Sequence, residues 1–227
     1  RQRQMCIRDR SENMITREGL RKALFKYYED PLSSLFDSLG FTPNMVTLLG
    51  LLVVGIAAFF ISIGNFWAGG IIVASGGALD LIDGGLARKK GLDSKFGAMF
   101  DSVADRLQEA LVLLGLLIYY SLGDCIDNSV LPFKQLDGFD SCALAQIMTY
   151  TAFVGSIMVS YLRSRAEGLG IECKVGIMTR PERVAVISIG LVIAHWVPFV
   201  MIMVLILLTV LGLFTTVQRL IHSSRQL

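Results

Sequence analysis

The chain has 227 residues, 53% of them hydrophobic, with a formal net charge of +2 at pH 7 and a mean hydropathy of +0.60. An apolar share above the roughly 45–50% of soluble domains excludes an ordinary soluble protein and points to a polytopic membrane one. So small a net charge carries no signal for nucleic acid, and no nucleic-acid partner is expected. At about 20 apolar residues per crossing, the length holds about six spans in one membrane domain and no separate soluble domain.

Residues 1–15 begin "RQRQMCIRDR", polar and aperiodic, without the apolar stretch of a signal peptide. They are expected to be a disordered tail or an extension, with Met14 as a plausible start, and the membrane domain to occupy 16–227. Over 16–39, Leu20, Leu24, Tyr27 and Tyr28 recur at helical spacing opposite Arg17, Arg21, Lys22 and Lys26. That pattern predicts an amphipathic helix lying along the membrane surface. Six transmembrane helices are then predicted, at 45–64, 66–87, 96–122, 143–165, 184–196 and 198–221. The fifth is short and depends on tilt or on its neighbours, and Pro198 breaks it from the sixth. The expected fold class is therefore all-α integral membrane, with an N-terminal amphipathic juxtamembrane helix.

Only the connection over 123–142 is long. It is acidic, and Cys125 and Cys142 flank it. They can pair as a disulfide if the loop faces an oxidising space. No Cys/His spacing suits zinc.

Charge orients the spans. Arg17, Arg21, Lys22 and Lys26 precede the first, and Arg88, Lys89, Lys90 and Lys95 separate the second from the third. Lys174, Arg180 and Arg183 lie between the fourth and fifth, and Arg219 and Arg225 stand at the end of the last. The alternate connections carry almost no base. The excess of Lys and Arg predicts both termini and every basic loop on the cytoplasmic side of a prokaryotic-type cell membrane.

Against this background four aspartates stand out in "LDLIDGGLARKKGLDSKFGAMFDSVADR". Asp80 and Asp83 are three apart near the cytoplasmic end of the second span; Asp101 and Asp105 are four apart near the start of the third. Both spacings put carboxylates on one helix face, and the short hairpin places both pairs at similar depth. Four converging carboxylates repel one another strongly in a low dielectric, and a divalent cation removes that conflict. Mg²⁺ or Mn²⁺ takes oxygen ligands and commonly keeps positions for substrate phosphates; two ions can clamp a phosphoryl group. Gly84, Gly85 and Gly97 leave the backbone open to a close ligand. A single intramembrane Asp can be a helix–helix hydrogen-bonding device, and paired ones can line the pathway of a divalent-cation transporter.

Asp80-x2-Asp83-Gly84-x2-Ala87-Arg88-x8-Gly97-x3-Asp101-x3-Asp105 resembles, without departure, the signature of the CDP-alcohol phosphotransferases. The resemblance implies a six-helix membrane fold, a homodimer, and transfer of a phosphate-bearing lipid or other alcohol from a CDP-linked donor to an acceptor hydroxyl, with release of CMP. It implies Asp80, Asp83 and Asp101 as metal ligands, with Asp105 as ligand or general base. Gly84, Ala87 and Gly97 would line the nucleotide site, with Arg88 near the phosphates or tied to an acid. "TPNMVT" is similar to the family's entry to the first span, which adds Asn44 and Thr47 to that site.

The acceptor is addressed by "SYLRSRAEGLGIECKVGIMTRPERVAV". Arg163 and Arg165 close the fourth span and Arg180 and Arg183 open the fifth, on the cytoplasmic side. Arginine's planar fork suits phosphate oxygens, although such residues also satisfy the positive-inside pattern or snorkel to headgroups. SYxRxRAEGLG followed by GxxxRPER resembles the phosphatidylinositol-phosphate and archaetidylinositol-phosphate synthase branch. This implies inositol 1-phosphate as acceptor, its phosphate held by Ser160, Arg163 and Arg183, with Arg180 in support and Arg219 from the last span. Ser164 departs from the alanine many relatives carry. Glycerol 3-phosphate as acceptor, or CDP-inositol as donor, are the competing enzymatic readings.

Overall fold

The computed structural model describes residues 30–91, 94–122, 141–173 and 175–226. Among them the secondary structure is helical: α1 Asp30–Ser38, α2 Pro43–Ser62, α3 Phe66–Lys90, α4 Lys95–Ser121, α5 Ser141–Gly168, α6 Arg180–Ala194 and α7 Phe199–Ser224. Each of the six apolar runs has become one helix. Of the stretch 16–39 expected to form an amphipathic surface helix, the described part contains α1 alone; residues 16–29, with the apolar and basic residues that carried the expectation, and the expected tail 1–15 lie outside the described residues. So do the loop 123–140 and, with it, Cys125 of the expected pair with Cys142.

Two of the extensions beyond the apolar runs have evident local reasons. α3 continues to Lys90, with Arg88, Lys89 and Lys90 in its last turn, where positive charge suits the negative end of the helix dipole. α6 starts at Arg180 because Thr179 is its N-cap, with Pro181 and Glu182 in its first turn. The Thr179 hydroxyl donates to the Glu182 carboxylate.

Four of the helices, α2, α3, α5 and α7, are long and apolar enough to cross a membrane, and the protein is an integral membrane one. Large apolar side chains cover their outer faces, among them Leu52, Phe59, Leu213 and Phe214, as expected of a surface solvated by lipid. α4 carries Asp101, Asp105, Arg106 and Glu109, and α6 has only 15 residues. Yet both leave apolar residues exposed, Leu107 and Leu114 on α4 and Ile189 on α6, while Gln108, Glu109 and Arg183 are buried.

The chain divides into two compact units. One contains residues 30–49 and 78–101 of the described chain. Its core is Val46, Ile82 and Leu86, packed by Leu32, Phe36, Phe41 and Leu79. Polar ties fasten α1 to the end of α3: Lys89 Nζ donates to Ser34 Oγ at 2.6 Å, and Lys90 Nζ lies 2.9 Å from Asp37 Oδ1.

The other unit contains 50–77 and 102–226 of the described residues. Its apolar core includes Ile61, Leu116, Leu191, Met201 and Leu205. In lipid, helices associate through close packing of small residues, and that is how this unit is built. Gly155 of α5 and Gly212 of α7 stand back to back, and α2 approaches α4 at Gly115, where an added Cβ would lie 2.6 Å from the Ala58 carbonyl oxygen. A carbonyl in a helix cannot swing away, so Gly115→Ala should destabilise the protein by about 1–3 kcal/mol. Thermal unfolding in detergent checks this; an unchanged midpoint would refute the close approach.

Candidate active site

In the first unit, α2 begins where Thr42 Oγ1 accepts the Met45 N–H at 3.4 Å, with Pro43 at the first helical position, and α4 begins where Ser94 Oγ accepts the Gly97 N–H at 2.9 Å. These two helix starts and the end of α3 enclose a cavity of about 780 Å³. Its lining includes Asn44, Thr47, Asp83, Gly84, Ala87, Arg88, Gly97 and Asp101. All six residues expected at the nucleotide are therefore on one wall system with two of the expected metal ligands.

The cavity's chemistry is polar at one place and bare at another. Asp83 is only 5% exposed, and its Oδ2 accepts the Thr47 hydroxyl at 2.6 Å. That hydroxyl also lies 3.1 Å from the Pro43 carbonyl, but its single hydrogen is better used by the carboxylate. At Gly97 a Cβ would come 3.0 Å from Ser94 Oγ and 3.4 Å from Asn44 Oδ1, so glycine keeps that wall open. Losing a hydrogen bond to a buried charged group costs about 1.5–3 kcal/mol, so Thr47→Val should destabilise the protein by about that much; thermal unfolding in detergent checks it.

The second unit holds the remaining cluster, between α4 and the start of α6. Arg180 Nη1 lies 2.7 Å from Asp105 Oδ1, and Arg180 Nη2 donates to Gln108 Oε1 at 2.9 Å. Arg183 grips Glu109 with two bonds, Nε to Oε1 at 2.6 Å and Nη2 to Oε2 at 3.1 Å, and Nη1 donates to the Met178 carbonyl at 3.1 Å. Arg219 is buried on α7 and donates to the carbonyls of Val175 and Val159 at 2.9 and 2.6 Å. Arg163 is exposed and pairs with Glu167 at 2.9 Å. Ser160 lies one turn before Ser164, whose hydroxyl donates to the Ser160 carbonyl at 3.2 Å and accepts from Arg106 Nη2 at 3.0 Å.

The structure thus brings Asp83 and Asp101 to one cavity, with Asp80 half-buried one turn earlier on α3. It pairs Asp105 with Arg180. Among the described residues no three His, Cys, Asp or Glu side chains stand grouped as a ready metal centre. Sequence reasoning missed Gln108 and Glu109, the partners of the two arginines of α6. The signal was present, since Asp101, Asp105 and Glu109 follow one another at four-residue intervals along one helix face.

Membrane helices around a cavity that sets carboxylates and a guanidinium beside bare glycine backbone define a membrane-embedded enzyme of phosphate-ester chemistry. More particularly, the family profile described as CDP-alcohol phosphatidyltransferase matches residues 41–218, and the chain belongs to that family of transferases. The archaetidylinositol phosphate synthase of Methanothermobacter thermautotrophicus is 30% identical over 207 residues, 91% of this chain and 93% of the relative. The phosphatidylinositol phosphate synthase of Mycolicibacterium smegmatis is 30% identical over 210 residues, 90% of this chain and 86% of the relative. Among solved structures, the Mycobacterium tuberculosis phosphatidylinositol phosphate synthase in complex with manganese and citrate superposes with a TM-score of 0.73 at 28% identity, covering 85% of this chain and 87% of that one. The same enzyme with CDP-DAG bound gives 0.70 at 28% identity, covering 85% and 92%.

Proposed function

We propose that this protein transfers a phosphatidyl-type group from a CDP-linked lipid to inositol 1-phosphate. The acceptor hydroxyl oxygen bonds to the lipid-bearing phosphorus, the bond from that phosphorus to CMP breaks, and the hydroxyl proton passes to Asp105. The observation that carries this reading is the 2.7 Å contact of Arg180 with Asp105. It sets a phosphate-binding guanidinium directly against the carboxylate proposed as base, so an acceptor held by its phosphate presents its hydroxyl there.

Asp80, Asp83 and Asp101, with Asp105 one turn further along the unbroken α4, are the proposed ligands of two Mg²⁺ or Mn²⁺ ions. The oxygen-only donor set, with Asp83 and Asp101 lining one polar cavity, fits hard divalent cations. Bound there, they supply positive charge to the diphosphate and to the departing CMP. Gly84, Ala87, Gly97, Asn44 and Thr47 form the nucleotide wall and Arg88 faces the phosphates. Ser160, Arg163 and Arg183 hold the acceptor phosphate, with Arg180 and Arg219 in support. The manganese and CDP-DAG named in the structures of the Mycobacterium tuberculosis enzyme support the donor and metal; the names of the relatives support the acceptor.

In this reading α4 and α6 also cross the membrane, their charged residues turned inward and their apolar ones outward, which completes six spans after an N-terminal amphipathic helix. The basic loops, both termini and the active site face the cytoplasm, residues 16–227 form one catalytic membrane domain, and two copies pair as a homodimer. The acceptor is tested by supplying the purified protein with CDP-diacylglycerol, Mn²⁺ and one acceptor at a time. CMP release with inositol 1-phosphate and not with glycerol 3-phosphate is expected. The opposite preference would make the protein a phosphatidylglycerophosphate synthase, and release from CDP-inositol alone with inositol 1-phosphate would move the donor.

A further inference from the structure

Glu109 has no part in the chemistry described so far, yet both its carboxylate oxygens are paired with Arg183, which the acceptor reading uses. Glu109 stands one turn beyond Asp105 on α4, and Arg183 lies in the first turn of α6. Their side chains are 7% and 4% exposed, and both carboxylate oxygens meet the guanidinium. A two-point contact fixes the plane of the guanidinium as well as its place. The Met178 carbonyl fixes a third point. Of the five N–H donors of an arginine, these contacts use three, which leaves one on each terminal nitrogen. The cavity beside the pair, lined by Asp105, Gln108 and Glu109 on α4 and Arg180 on α6, measures about 20 Å³, room for a single water and none for a phosphate. The pair is closed on that side.

We propose that Glu109 is a positioning residue for the acceptor: it pins Arg183 in the orientation from which the remaining donors grip the acceptor phosphate. Glu109 itself touches no substrate. An arginine already immobilised loses little further freedom when it takes a ligand, so the effect of Glu109 falls on acceptor affinity. Gln108 braces Arg180 from the same helix face through one neutral bond, a weaker version of the same device. The inference rests on the acceptor reading above, and its test separates the two.

Initial rates of CMP release are measured for the wild type, Glu109→Gln, Arg183→Ala and the double variant, varying inositol 1-phosphate and CDP-diacylglycerol separately. By analogy with the outer partners that orient metal ligands, whose loss costs about 10–100-fold, Glu109→Gln should raise KM for inositol 1-phosphate about tenfold. KM for CDP-diacylglycerol should not move. In the Arg183→Ala background the second substitution should add nothing, because Glu109 acts only through Arg183. Glu109→Asp, which keeps the buried charge, should give a smaller rise in the same constant, and it carries the test if Glu109→Gln does not fold. Equal effects of Glu109→Gln in both backgrounds, or an unchanged acceptor KM where Arg183→Ala raises it, would overturn the positioning role. Arg183→Ala leaving acceptor KM unchanged would remove Arg183 from the acceptor site, whereas no CMP release with inositol 1-phosphate in the wild type would overturn the acceptor reading itself.

Discussion

Asp105→Asn should lower turnover by about 10²–10⁴-fold, the range for loss of a general base, while leaving the protein folded. Asparagine matches aspartate in shape and keeps an oxygen where Asp105 Oδ1 now meets Arg180 at 2.7 Å. It can neither accept the acceptor's proton nor supply the negative charge a divalent ion requires. The defect should therefore appear in kcat. CMP release at saturating substrates, together with a thermal melt, separates lost chemistry from lost fold. Full turnover in the variant would remove Asp105 from the reaction.

The second large effect is on stability. Glu109→Leu should destabilise the protein by about 3–5 kcal/mol, because it leaves the Arg183 guanidinium buried without its counter-charge. For a chain of this size that corresponds to a fall in melting temperature on the order of 10 °C. The converse distinguishes a stranded charge from a merely lost contact. Replacing both partners, Glu109→Leu with Arg183→Leu, removes the charge as well as its partner, and the melt should return close to the wild type. Catalysis should not return if Arg183 holds the acceptor as proposed. Thermal unfolding of the two variants in the same detergent checks this; a double variant no more stable than Glu109→Leu would contradict it.

The helices were legible in the sequence wherever hydropathy alone decides. Each apolar run became a helix, as in 198–221, which is α7 Phe199–Ser224. Where capping and charge decide, hydropathy fell short: it stopped at Ala87 although three basic residues extend α3, and it began the fifth run at Val184 although Thr179, Pro181 and Glu182 start α6. The cavity shared by Asp83 and Asp101 was legible through its signature, because its residues come from short local stretches whose spacing reflects helix geometry. The bracing of the arginines was not. Glu109 and Arg183 are 74 residues apart, and nothing local to either names the other. Glu109 was within reach only as the third acid of a stripe, and a charged residue on a helix is ordinarily read as solvated.

The central claim is that the aspartates serve a phosphotransfer that joins a CDP-linked lipid to a phosphorylated inositol. The direct measurement is the stoichiometry of the purified protein given CDP-diacylglycerol, labelled inositol 1-phosphate and Mn²⁺. One CMP is expected for each label that enters the lipid, and neither when the divalent ion is chelated. CMP release without label in the lipid, or transfer that continues with the metal chelated, would contradict it.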